Sequence, residues 1–132
     1  MYIRTKDNLY EITDKQYDIL CGNLTEEEKE NYKNITSFGL GSIEEGSYES
    51  VLIKDILEYS ENLQELCDLF IDEETKTIFH KHNGYVINWK TNMFYSLKEL
   101  SESYHSVKGA IYTDEGLIYV AKMDNEGKLV LI

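Results

Sequence analysis

The sequence predicts an α+β fold: an antiparallel sheet that ends in a three-stranded meander, with two to three short helices. Three observations carry this. Residues 107–112 and 117–123 are rich in Val, Ile and Tyr, and each is followed by a turn closed by glycine, Thr113 to Gly116 and Asp124 to Gly127, before the chain ends on Leu-Val-Leu-Ile. Asn83-Gly84, a strong hairpin signal, separates two more strand-like runs. Thr25 with Glu28, and Ser96 with Glu99, have the spacing of helix capping boxes.

In chain order, residues 2–6 and 9–12 alternate as a hairpin around Asp7-Asn8. Thr25 opens a short helix whose first turn, Glu26 to Glu28, is favoured by the unpaired amides there. Residues 34–47, with Gly39, Gly41 and Gly46, read as a long loop. Gly39 to Ser42 lacks the lysine and further glycines of a phosphate cradle, and Glu44 and Glu45 follow it. A strand over 49–54 follows. Ser60 is the expected N-cap of a helix over 61–71. At 100° per residue, Leu63, Leu66, Cys67 and Phe70 share one stripe, and Glu61, Glu65, Asp68 and Asp72 share the opposite one. Residues 75–81 and 84–89 form the hairpin around Asn83-Gly84, and Ser96 starts a short helix to about Tyr104. The apolar C-terminus is expected inside the sheet or covered by a second copy, which makes a homodimer one candidate assembly.

At 132 residues the chain is expected to form one domain, 1–132, burying roughly two thirds of its unfolded surface. Cys21 and Cys67 match no metal spacing and are expected as free thiols, Cys67 as a small core residue. No leader and no membrane-length apolar run is visible.

The run from Gly109 to Met123, the opening Tyr2-Ile3-Arg4-Thr5-Lys6-Asp7 and the segment Leu63-Gln64-Glu65-Leu66-Cys67-Asp68 resemble parts of small proteins encoded by phages and prophages of Gram-positive bacteria. The resemblance covers well under half of the chain. It implies a phage genome and the cytoplasm of a bacterial host, and it supplies no active site.

The charge is −12, from 25 acidic and 13 basic residues. Residues 11–50 carry 10 acidic and 3 basic side chains, and residues 51–74 carry 8 and 1. Residues 75–132 are nearly balanced, with 6 and 7. Such an excess repels nucleic acid and anionic membranes and attracts basic partners. Like-charged pairs at 61/65, 65/68 and 68/72 would cost an isolated helix about 1 kcal/mol together. An acidic contact surface of Glu58, Glu61, Glu65, Asp68, Asp72, Glu73 and Glu74 therefore becomes the candidate protein-binding site, with Tyr32, Tyr48 and Tyr59 in or beside the acidic half. No nucleophile elbow, zinc-protease helix or Cys-x-x-Cys pair is present, so no catalytic residue, cofactor or metal is implied. His80 and His82 would share one strand face, but two ligands do not make a site.

These observations lead to an expectation of a non-enzymatic phage accessory protein. It would inhibit a host protein with a basic surface, such as a nuclease or CRISPR effector, as an anti-CRISPR-like nucleic-acid mimic. The alternative is a module sequestering a signalling nucleotide, for which Lys54, Lys76, Lys81 and Lys90 are the candidate cations and Arg4 is the only arginine.

Overall fold

The computed structural model describes residues 1–41 and 48–132. The chain is α+β, and its strand pairings among these residues are antiparallel. It forms two compact units, Met1–Glu61 and Asn62–Ile132.

In the first unit, β1 (Tyr2–Arg4) and β2 (Leu9–Glu11) make the hairpin expected around Asp7-Asn8. The Thr5 hydroxyl closes its turn by accepting from the Asp7 and Asn8 amides. A helix that the sequence reading left out follows, α1 (Asp14–Cys21), with Thr13 and Gln16 forming a full capping box and Gly22 ending it at φ 73°. Thr25 and Glu28 form the expected capping box of α2 (Glu26–Tyr32). Lys15 of α1 reaches Glu28, which raises the Lys15 pKa and lowers that of Glu28.

The loop expected over 34–47 is in part a strand. β3 (Ser37–Gly41) pairs with β4 (Tyr48–Leu52), placing Phe38 opposite Val51. Phe38 and Leu40 alternate inward, and the glycine between them removes the polar half of the pattern. Residues 42–47, including Ser42, Glu44, Glu45 and Gly46, lie outside the described residues.

The expected N-cap, Ser60, instead sits in β5 (Glu58–Ser60), which completes a three-stranded sheet of order β2-β1-β5. Ile3, Tyr10, Ile12, Phe38, Leu40 and Val51 form the core. Tyr10 Oη donates to Glu49 at 2.5 Å, joining β2 to β4. Burial first, and then the Glu49 carboxylate, push this hydroxyl above its ordinary pKa.

In the second unit the helix expected over 61–71 does not form. A 3-10 turn (Leu63–Glu65) leads into β6 (Leu69–Asp72). The apolar stripe is real, since Leu63, Leu66, Cys67 and Phe70 are all buried. Its cause is different. A 3-10 turn also repeats every three residues, and β6, paired on both edges and buried on both faces, shows no alternation.

β7 (Thr77–His82) and β8 (Tyr85–Asn88) make the expected hairpin, with Asn83 at φ 46° and Gly84 at φ 82° as a primed turn requires. A short β9 (Phe94–Tyr95) precedes α3 (Leu97–Ser103), which Ser96 caps through the Glu99 amide. The meander then forms as read: β10 (Val107–Thr113), β11 (Gly116–Met123) and β12 (Leu129–Leu131).

The resulting seven-stranded order is β12-β11-β10-β6-β7-β8-β9. Two meanders meet at the β6-β10 pair, and α3 carries the chain between them. Phe79 lies edge-on to Tyr95 and Tyr104, and Leu100 of α3 is buried. β12 is an edge strand, not an interior one. Leu129 is buried, and the exposed Ile132 still bonds its amide to the Val120 carbonyl.

Cys67 is the core residue expected, and it fits against a missing side chain. A Cβ on Gly109 would come within 2.6 Å of Cys67 Sγ but only 3.5 Å of its Cβ. Gly109→Ala should therefore cost about 1–3 kcal/mol. Adding Cys67→Ala should restore much of that loss in urea denaturation, and a purely additive double variant would refute the contact.

Candidate binding surfaces

The seven carboxylates read as one acidic surface are divided by the fold. Glu58 and Glu61 are exposed in the first unit, and the other five belong to the second. Two of those five are structural. Asp72 is 1% exposed; its Oδ2 accepts from the Thr75 amide (2.9 Å) and hydroxyl (2.6 Å), and its Oδ1 from the Ser106 amide (3.1 Å). Asp68 Oδ2 accepts from the Tyr112 amide at 2.7 Å. Glu73 pairs with Lys108 at 3.1 Å, the Glu65 carbonyl takes the Lys81 ammonium at 2.5 Å, and Glu74 is exposed. Without a helix, Glu65, Asp68 and Asp72 do not line up on one helical face.

The acidic excess itself is concentrated in the first unit, with 14 acidic and 6 basic residues against 11 and 7 in the second. There the edge strand β5 presents a contact surface. Leu57 (62% exposed) and Tyr59 (51%) alternate with Glu58, and Glu61 follows. The Tyr59 ring is braced edge-on by Tyr17 at 5.7 Å. Hydrogen bonding to the Cys21 thiol raises the pKa of both phenols.

The second unit holds a cleft of about 500 Å³. Lys81, His82, Asn83 and Tyr85 of the β7-β8 hairpin form one side, Gln64 and Glu65 another, and Phe70, Val86 and Leu97 the apolar part. Of the four lysines named as anion-site candidates, Lys81 is the one that lines it.

Strand register defines a second feature of this unit, one that sequence reasoning missed. Because residues opposite each other share a face, Lys122, Lys108, Ile71 and Ile78 form one cross-strand row, extended by Trp89, whose amide bonds the Ile78 carbonyl. The next row is Leu69, His80, Ile87 and Phe94. His80 lies edge-on to Trp89 at 5.7 Å and His82 edge-on to Phe94 at 6.1 Å, so the histidines share this face as expected but are engaged with aromatic rings. Trp89 is 65% exposed, Phe94 57% and Tyr85 52%.

The overlooked signal is one of composition: residues 75–98 contain four lysines, two histidines and no Asp or Glu.

Among the described residues no three His, Cys, Asp or Glu side chains gather as metal ligands, and no helix is long and apolar enough to cross a membrane. Comparison with known protein families, curated proteins and solved structures finds no match to this chain.

Proposed function

We propose that the chain is a non-enzymatic accessory protein that binds and inhibits a host protein through the acidic surface of its first unit. The observation that carries this is the edge of β5, where exposed Leu57 and Tyr59 lie among Glu58 and Glu61 on a unit with more than twice as many acidic as basic residues. Tyrosine beside exposed apolar area supplies contact energy, and the carboxylates select a basic partner and speed its arrival. The resemblance to phage-encoded proteins makes a host nuclease or CRISPR effector the preferred class of partner. The contact surface is narrower than the sequence reading: Asp72 and Asp68 serve the fold, while Glu58 and Glu61 remain available to a partner.

Capture from a nuclease-treated Gram-positive lysate, followed by binding measurements on the captured protein, tests the reading. Tyr59→Ala should weaken binding by roughly 2 kcal/mol, about thirtyfold. Unchanged binding by Tyr59→Ala and by Glu58→Lys/Glu61→Lys would remove it.

A second reading, sequestration of a small nucleotide, is favoured by the cleft beside Lys81. A nucleotide at a hundredfold excess over its Kd should raise stability by about 2.7 kcal/mol, and Lys81→Ala should abolish the shift.

A further inference from the structure

We infer that the face of the seven-stranded sheet bearing Trp89 and Phe94 binds single-stranded nucleic acid. The inference rests on the second unit alone and is independent of the acidic contact surface.

The overall charge of −12 argues against such a ligand, but charge acts locally because its reach at physiological salt is only about 8 Å. On this face the local sign is reversed. Lys108 and Lys122 are directly opposite each other on β10 and β11. A like-charged pair directly opposite on a sheet lowers stability, so folding alone does not favour it. Glu73 balances one of the two, and Lys108 also lies over the Tyr119 ring at 5.7 Å. Lys90 is exposed immediately after Trp89.

The aromatic groups lie at the other end of the same rows. From Lys108 to the Trp89 position is three strand spacings, about 14 Å. Trp89 and Phe94 are more than half exposed, and the edge-on His80 and His82 rings brace them. Braced, flat, exposed rings next to lysines are the two elements a single strand needs: π-faces for unpaired bases and cations for the phosphates. An acidic protein segment would use the lysines, but it lacks the row of flat bases that would stack on the two rings. A duplex hides its bases from such rings.

Trp89 is the only tryptophan, so its fluorescence reports on the proposed site. Titrating the full chain at about 50 mM salt with oligothymidylate of about 12 nucleotides should quench that emission and raise the anisotropy of the labelled oligomer. Affinity should fall as salt rises. Phe94→Ala and Lys108→Gln/Lys122→Gln should each weaken binding by roughly tenfold or more. If Phe94→Ala perturbs folding, Lys122→Gln alone, altered at an exposed side chain, carries the test.

Several results would overturn the inference. They are no quenching at about 100 μM oligomer, equal affinity in the variants, equal affinity for duplex DNA, and quenching by polyglutamate but not by the oligomer. The last would assign the face to an acidic protein segment. Saturation by a mononucleotide at the same affinity would also contradict it and assign the site to a small ligand.

Discussion

Asp72→Ala should lower the free energy of unfolding by about 3–5 kcal/mol, a large fraction of the stability of a chain this size. Removing the buried carboxylate takes away the acceptor of the Thr75 amide and hydroxyl and of the Ser106 amide, and a hydrogen bond to a charged group contributes about 1.5–3 kcal/mol. Asp72→Asn keeps the shape and one acceptor oxygen and should lose less. The midpoint of urea denaturation, at unchanged slope, measures both. An alanine variant within about 1 kcal/mol of wild type would contradict the role. The consequence reaches the functional question: reversing charge at Asp72 would test folding, not partner binding.

Gly127→Ala is expected to cost about 2–4 kcal/mol, for two separable reasons. Gly127 stands at φ 79°, which an L side chain adopts at a cost of about 1–2 kcal/mol. Its Cβ would also fall 2.8 Å from the Leu97 carbonyl oxygen and 2.8 Å from Lys98 Cα, both backbone atoms at the start of α3. No rotamer change relieves that contact. Gly84 provides the control, since it has φ 82° with nothing within 4 Å of the added carbon. Gly84→Ala should show only the conformational part. Equal losses at both positions would mean that the β11-β12 turn does not press on α3.

Where the sequence was informative, local chemistry decided the structure. Turns such as Asn83-Gly84 and caps such as Thr25 and Ser96 act through their own neighbours: the turn and the Thr25 capping box formed as read, and Ser96 caps its helix without the reciprocal Glu99 bond of a full box. The 61–71 segment failed because its burial comes from tertiary pairing: β6 is a strand only because β7 and β10 flank it. Its discordant signal was the row of repelling carboxylates, which a helix would have had to tolerate. α1 was legible in Thr13 and Gln16, the same capping logic applied to Thr25. The lysine-aromatic rows depend on the β6-β10 register, which joins strands distant in sequence.

The first unit is proposed to meet a basic partner through Glu58, Tyr59 and Glu61. The most direct test is the association rate with the captured partner as a function of salt, for wild type and for Glu58→Lys/Glu61→Lys. Both glutamates are exposed, so the fold should persist in the variant. The wild-type rate should fall steeply as salt rises, while the variant should associate more slowly at low salt and show a much flatter dependence. Equal rates and equal salt slopes for the two proteins would contradict the claim.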